Sequence, residues 1–332
     1  MPEQTTPNQA KQWWKAALRA VVSIGLLTYL FYKVGIGNII ETIRGADPFM
    51  VAMIFVVMFA EHVHGTYKWL ILLRHTSSNI PFWPLLRVRY LSAFIGIFGL
   101  GAVTIELVRM YGLARYTRDL AMSFTSILMD RLLGLTGLAL MVLFGVFMET
   151  RAKVGGIEYW AAAALIAMIA GWVAIMNPAF RRFTDKLLSP RWLSMVRDKQ
   201  RKVYASLDVY RGRPGLLAWG MVQSIVFNVL RIMVVWVGAL AVGIDVPVTA
   251  YFVVVPAVIF AMLLPISMSG WGVREAMFAA LLPMYGADRE TVLAMSVLIG
   301  ICSVLSTLPG AVILMTGLGA PKTDDNALVE SR

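Results

Sequence analysis

Charged side chains interrupt several long apolar segments of this 332-residue chain. Glu61, His64 and Lys68 are spaced i, i+3 and i+7, which places them on one face of a helix. A charge at the centre of a membrane helix costs at least about 2.5–3.5 kcal/mol, so each such ion requires a partner or a function. The remaining polar groups of this kind form four close pairs: Glu106 with Arg109, Asp130 with Arg131, Asn228 with Arg231, and Arg274 with Glu275.

The chemistry of these ions favours the binding of an anion. Arginine can hold phosphate oxygens in a bidentate fork, and helices that begin near Val103 and Val273 would add backbone donors. We therefore expect a headgroup-binding set of Arg109, Arg131, Arg231 and Arg274. We expect the charge partners or proton carriers to be Glu61, His64, Glu106, Asp130 and Glu275. The alternative is that these residues form ion pairs that only clamp helices together.

Other chemistries have little support in the sequence. The 20 methionines are scattered, and His62 and His64 are poorly spaced for one helical face, so we predict no metal site. Cys302 is the only cysteine and cannot form an internal disulfide. No nucleophile, zinc-protease or P-loop motif is present, so we predict neither an enzyme nor a cofactor. The net charge of +11 lies mainly in short loops, which indicates membrane orientation rather than nucleic-acid binding.

The segments that carry these ions are those of a membrane protein. Hydrophobic residues make up 59% of the chain and charged residues 15%, against roughly 45–50% and about 25% in soluble domains. A bilayer-spanning helix needs about 20 predominantly apolar residues. Six segments meet this condition and are predicted to cross the membrane: 16–35, 48–73, 119–148, 158–176, 216–242 and 291–317.

Two further apolar stretches, 82–117 and 250–286, are interrupted by glycine-rich turns. Neither half of either stretch is long enough to cross comfortably alone, and broken backbone at membrane depth must be buried in protein or line a wet cavity. We predict that both are re-entrant helical hairpins, although hairpins through the full bilayer give the same sidedness. The predicted hinges are Gly99, Gly101, Pro265, Gly270 and Gly272.

The distribution of basic residues predicts the orientation. Segment 177–215 carries ten lysines and arginines against three aspartates, whereas the segments predicted outside hold only four cations. By the positive-inside rule, residues 1–15, the basic loop 177–215 and the polar tail 318–332 are then cytoplasmic. The loop could also bind anionic headgroups, but we favour a topology anchor.

An internal repeat relates the two halves of the chain. Met110-Tyr111-Gly112 recurs as Met284-Tyr285-Gly286, and Leu120–Ser123 recurs as Leu293–Ser296, with offsets of 174 and 173. The repeats would cover 16–148 and 158–317, and the predicted sidedness inverts one relative to the other. Matching interrupted segments in inverted halves are typical of the binding site of a transporter. The predicted fold is therefore all-α, with about six transmembrane helices and two re-entrant hairpins in two inverted repeats.

Several of these motifs occur in a known family. From about residue 20 to 317, the sequence resembles the lysylphosphatidylglycerol synthase transmembrane family, also called flippase-like integral membrane proteins. Ile105-Glu106 and Asp130-Arg131 depart from the Gly-Asp and Glu-Arg usual there. The motifs that carry the resemblance are Phe98–Gly101, Glu106–Arg109, Asp130–Leu135, Leu264–Ser267, Gly270–Glu275 and Leu308–Gly310.

The resemblance implies that the chain handles lipid. In members that make aminoacylated lipids, the membrane part translocates lipid and a cytosolic C-terminal domain performs the aminoacyl transfer. We expect no such domain in this protein, and we therefore expect lipid to be moved or bound rather than modified. The leading hypothesis is a translocase in a bacterial cytoplasmic membrane, for an amphiphile with an anionic, phosphate-bearing headgroup. The alternatives are a non-transporting subunit that presents lipid or polyprenyl phosphate to a partner enzyme, and an ion-coupled transporter of a small solute.

Overall fold

A computed structural model describes residues 36–74, 80–99, 102–148, 177–187, 194–263 and 270–316, with scattered positions between 159 and 172. Every regular element in these ranges is a helix, which confirms the predicted all-helical class. We number the α-helices as follows: α1 Ile36–Arg44, α2 Pro48–Leu73, α3 Phe82–Phe98, α4 Ala102–Thr117, α5 Leu120–Met148, α6 Pro178–Leu187, α7 Ser194–Arg211, α8 Pro214–Ala241, α9 Val248–Leu263, α10 Val273–Leu281, α11 Arg289–Ser306 and α12 Leu308–Thr316. A 3₁₀ turn, Leu282–Tyr285, follows α10.

Four helical segments are long and apolar enough to cross a membrane: α2, α5, α8 and the consecutive pair α11–α12. They contain 26 to 29 residues each, which gives lengths of about 39–44 Å against a hydrocarbon core of about 30 Å. The chain is therefore a multi-pass membrane protein, and four of the six predicted spans are confirmed as candidates. The predicted spans 16–35 and 158–176 lie wholly or largely outside the described residues, as do segments 1–15 and 318–332.

Both apolar stretches with glycine-rich turns are broken as predicted. The first divides into α3 and α4, and the second into α9 and α10. With 17 residues, α3 is about 25 Å long, and the others are shorter. Gly270 and Gly272 have φ angles of +83° and +84°, a conformation that disfavours residues with a Cβ. The other predicted hinge in the described part is Gly99, which ends α3, while Gly101 and Pro265 lie outside it.

The helices pack around a central contact between α2 and α8. The largest apolar core joins α2, α8, α9 and α11 through side chains such as Ile54, Val235, Tyr251 and Met295. On the other side, α12 crosses α3 at Gly310, where an added Cβ would overlap the Tyr90 carbonyl oxygen. The close approach of these two helices therefore requires a glycine in the Leu308–Gly310 motif.

The basic segment 177–215 contains two helices, α6 and α7, which the sequence analysis treated as a loop. They are joined by an ion pair between Arg181 and Asp208, at 3.1 Å. Tyr210 is buried at the end of α7 and donates a hydrogen bond of 3.2 Å to the carbonyl oxygen of Leu72. This contact fixes the basic segment to the end of α2.

Candidate functional site

A cavity of about 330 Å³ lies among α2, α3, α4, α5, α8 and α9. Five cationic and three carboxylate side chains line it, an excess of two positive charges. Apolar residues of α9 and Gly270, in the glycine turn that follows α9, also line the cavity. The charged lining residues are Lys68, Arg89, Arg109, Arg131, Arg231, Glu61, Glu106 and Asp130.

Helical periodicity directs these side chains inward. In α5, Asp130, Gly134 and Leu138 recur at intervals of four and line the same wall. The first residues of α4, from Ala102 onward, line the cavity together with Glu106, which is one turn further along. The predicted helix start near Val103 is therefore confirmed, and it faces the cavity.

Asp130 is the centre of a buried ion network. Its two carboxylate oxygens lie 2.9 Å from the Nζ of Lys68 and 2.9 Å from a guanidinium nitrogen of Arg109. Exposed fractions of 3%, 5% and 6% for Lys68, Arg109 and Asp130 show that water does not solvate these charges. Arg109 also contacts Glu106 at 3.2 Å, and its guanidinium stacks 4.3 Å from the ring of Trp69. Removal of Asp130 would thus leave Lys68 buried without a carboxylate partner among the described residues.

Two longer ion pairs also line the cavity. Arg131 lies 3.5 Å from Glu106, and Arg231 lies 3.8 Å from Glu61. The side chains of both arginines are more than a third exposed, so they can reach a guest. Asn228 instead donates a hydrogen bond of 3.0 Å to the Gly134 carbonyl oxygen and joins α8 to α5.

Arg89 belongs to this site, although the sequence analysis did not select it. Its guanidinium lies 5.2 Å from the centre of the Phe227 ring, which Lys68 and Arg231 also approach, at 4.9 and 5.8 Å. The sequence did contain a signal for Arg89, because this arginine lies in the same apolar stretch as Glu106 and Arg109. It was missed because Arg89 has no acidic neighbour along its own helix.

Glu61, His64 and Lys68 share one face of α2 as predicted, since all three contact α8, but His64 does not line the cavity. Its Nε2 is 3.0 Å from the carbonyl oxygen of Gln223, so the ring faces α8. His62 lines the cavity instead and stacks on Tyr90, with ring centroids 4.5 Å apart. Gln223 lies about one turn before Phe227 and Asn228, the α8 residues that line the cavity, so His64 contacts α8 beyond the lining.

Arg274 and Glu275 also do not line the cavity, which corrects the placement predicted for them. Glu275 is fully buried and accepts hydrogen bonds from the backbone of Gly272, at 2.7 Å, and from the Nε of Arg274, at 3.0 Å. The Arg274 guanidinium stacks 4.8 Å from the Trp271 ring. This pair closes the N-terminus of α10 against α11, so its charges are neutralised within the protein. Gly270, from the same turn, does line the cavity.

The arrangement is suited to holding an anion inside an apolar helix bundle. Among the described residues, no three histidine, cysteine, aspartate or glutamate side chains are grouped as ligands of a metal ion. Three of the four predicted headgroup-binding arginines, Arg109, Arg131 and Arg231, share the cavity with the predicted partners Glu61, Glu106 and Asp130.

Comparison with known proteins gives a family. The family model described as lysylphosphatidylglycerol synthase TM region matches residues 16–310 of the chain. No significant match was found among curated proteins.

Proposed function

This chain belongs to the lysylphosphatidylglycerol synthase TM family, and we propose that it moves a lipid with an anionic headgroup between the two leaflets of its membrane. The cavity with its excess of positive charge is the observation that carries this proposal. An ionised headgroup placed in hydrocarbon loses its hydration at a cost of many kcal/mol. Arginines along a polar path through the helix bundle would replace that hydration.

The exposed members of the site support a role in transport. Arg131 and Arg231 are held by single carboxylates at 3.5 and 3.8 Å, longer than the 2.9 Å contacts around Asp130. A headgroup phosphate could therefore displace Glu106 or Glu61 from these arginines while the buried network stays intact. We assign Arg131 and Arg231 to transient headgroup contacts and Arg109 to the network that supports them.

The helix contacts support two inverted repeats and alternating access. One unit would comprise α2, the α3–α4 hairpin and α5, and the other would comprise α8, the α9–α10 hairpin and α11–α12. The first helix of each hairpin packs on the last segment of the opposite unit, since α3 contacts α12 and α9 contacts α5. The leading helices, α2 and α8, contact each other. Rocking of one unit against the other around a fixed site is how inverted-repeat transporters work.

We further propose that the chain resides in a bacterial cytoplasmic membrane, with the basic segment of α6 and α7 on the cytoplasmic side. Exposed Phe180 and Phe183 lie on α6 beside Arg181 and Arg182. Aromatic and cationic side chains next to each other are typical of a helix at a membrane interface that carries anionic lipids.

Reconstitution tests the translocase proposal. Liposomes with and without the purified chain would carry a short-chain fluorescent phosphatidylglycerol, and dithionite would bleach the label in the outer leaflet. We expect more bleaching in the presence of the protein, and less of this effect in Arg131→Gln than in Arg115→Gln, a matched change at an exposed site outside the cavity. Equal protection in protein-containing and empty liposomes, across several headgroups, would contradict translocation and favour a non-transporting subunit.

A further inference from the structure

We infer that Arg89 anchors the phosphate of the guest, and that Gly65 is present to leave room for its guanidinium. The inference rests on the proposed function, because it assigns the binding group of the same cavity. It adds a residue that the pairing of charges along the sequence does not identify, and it names the chemical group bound, a phosphate monoester or diester.

Arg89 differs from the other cavity cations in its lack of an acidic partner. Lys68 and Arg109 contact Asp130, Arg131 contacts Glu106, and Arg231 contacts Glu61. Among the residues that the structure describes, no carboxylate forms an ion pair with Arg89, and its buried Nε has no hydrogen-bond partner. The Nε of Arg109 also has no partner, but Arg109 has two carboxylates, so the lack of both kinds of partner distinguishes Arg89 and leaves room for an acceptor from a ligand.

Gly65 makes the position of Arg89 possible. A Cβ added at Gly65, on α2, would overlap the Nη2 and Cζ atoms of Arg89 and lie 2.7 Å from Nη1. The guanidinium therefore occupies the space that any other residue at position 65 would fill with its own side chain. On its other side it faces the ring of Phe227, a contact that attracts a cation without neutralising its charge.

The surroundings of Arg89 are those of a phosphate site. A guanidinium presents paired N–H donors that match two phosphate oxygens. Ala102 and Val103, the first residues of α4, line the same cavity, and the N–H groups at the start of a helix attract anions. The excess of two positive charges in the lining equals the charge of a phosphate monoester and exceeds that of a diester by one.

The experiment measures binding separately from transport. The purified full chain in detergent would be titrated by calorimetry with dihexanoyl phosphatidylglycerol, with dihexanoylglycerol, which lacks the phosphate, and with inorganic phosphate as a competitor. We expect the phospholipid to bind more tightly than dihexanoylglycerol. Competition by inorganic phosphate would identify a free anion as a sufficient ligand, whereas phospholipid binding without such competition would identify the lipid headgroup. Equal affinity for the two lipids would overturn the inference.

Variants assign the effect to Arg89. Loss of charge-assisted hydrogen bonds predicts that Arg89→Gln weakens phospholipid binding by about ten- to a hundredfold. Gly65→Ala should also weaken binding, because the added methyl group displaces the guanidinium while every charge is kept. The matched controls are Arg115→Gln, at an exposed position, and Gly215→Ala, where an added Cβ meets nothing within 4 Å. Unchanged affinity in folded Arg89→Gln would overturn the inference.

The two proposals fail in different ways. Wild-type binding that depends on Arg89, without lipid movement in liposomes, would refute the translocase and leave the phosphate site in place. Lipid movement that persists in Arg89→Gln with unchanged affinity would refute the site and leave the translocase. If Arg89→Gln does not fold, Arg89→Lys and Gly65→Ala decide, since both retain a cation. Wild-type affinity in both variants would then refute the anchoring role.

Discussion

Replacement of Asp130 by alanine tests whether the buried ion network holds the helices around the cavity. The carboxylate lies 2.9 Å from both Lys68 and Arg109, and all three side chains are less than a tenth exposed. In Asp130→Ala, Arg109 keeps Glu106 at 3.2 Å, but Lys68 keeps no described carboxylate. Removal of one partner from a buried ion pair costs about 3–5 kcal/mol, so we expect a loss of stability in this range.

A second substitution separates the orphaned charge from the lost packing. Because most of the expected loss comes from Lys68 without its counter-ion, Lys68→Met in the Asp130→Ala background should restore part of the stability. Coupling between contacting residues is typically about 0.5–3 kcal/mol. The free energy of unfolding of the double variant should therefore exceed that of Asp130→Ala by an amount in this range. Lys68→Met alone should destabilise, because Asp130 then keeps only Arg109.

The assay is thermal unfolding of the purified chain in detergent, followed by the loss of monodisperse protein on size-exclusion chromatography. Asp208→Ala is the matched control, because Asp208 pairs with Arg181 at 3.1 Å but is 46% exposed. An exposed ion pair contributes at most about 1 kcal/mol. If Asp130→Ala unfolds at the same temperature as Asp208→Ala, the view that the network stabilises the bundle is refuted.

Two other predictions concern single helix contacts, with the same unfolding assay as the measurement. Gly310→Ala should destabilise the protein by about 1–3 kcal/mol, since its Cβ would overlap the backbone oxygen of Tyr90. Gly215→Ala should have little effect, because its Cβ meets nothing within 4 Å. Equal unfolding midpoints of the two variants would contradict the tight crossing of α3 and α12. Asp288→Ala removes the N-cap of α11 and should cost about 1 kcal/mol at neutral pH. Hydrogen bonds from Thr291 hold the pKa of Asp288 below its usual range, so its contribution is present above the unfolded-state pKa of about 3.9 and is lost as the pH falls through the folded-state value. The deficit of the variant should therefore shrink in acid, and a deficit that is constant down to pH 3 would contradict the cap.

The sequence predicted the helical framework well where one property decided the structure. Long apolar runs gave α2, α5 and α8, and glycine-rich turns gave both broken stretches, because length and backbone freedom are local properties. The sequence did not predict the break at Thr307, between α11 and α12, or the helices of the basic segment. The docking of the basic segment depends on tertiary contacts such as Tyr210 with Leu72, whereas the break at Thr307 lies two residues before Pro309, a local signal that was overlooked.

The residues of the site were predicted better than the ion pairs that they form. Glu106 and Arg109 pair as their spacing of three indicates. Asp130 and Arg131 do not pair with each other, although they are adjacent in α5. Asp130 instead meets Lys68 and Arg109, and Arg131 meets Glu106. Helix periodicity alone fixes the direction of each side chain, but the partner depends on which helix packs opposite.

Arg274 and Arg89 show why an intramembrane arginine cannot be assigned to a site from its neighbours in the sequence. Arg274 is next to Glu275, and the structure shows a closed pair, in which the carboxylate also accepts a hydrogen bond from the backbone N–H of Gly272, the N-cap of α10. Arg89 has no acidic neighbour along its helix and no described ion-pair partner in space, and it faces the cavity. A cation in a tight ion pair, such as Arg274, gains little from an anion, whereas the longer contacts of Arg131 and Arg231 are more easily displaced. A cation without a direct ion pair, such as Arg89, gains more, because no carboxylate has to be displaced before the anion binds.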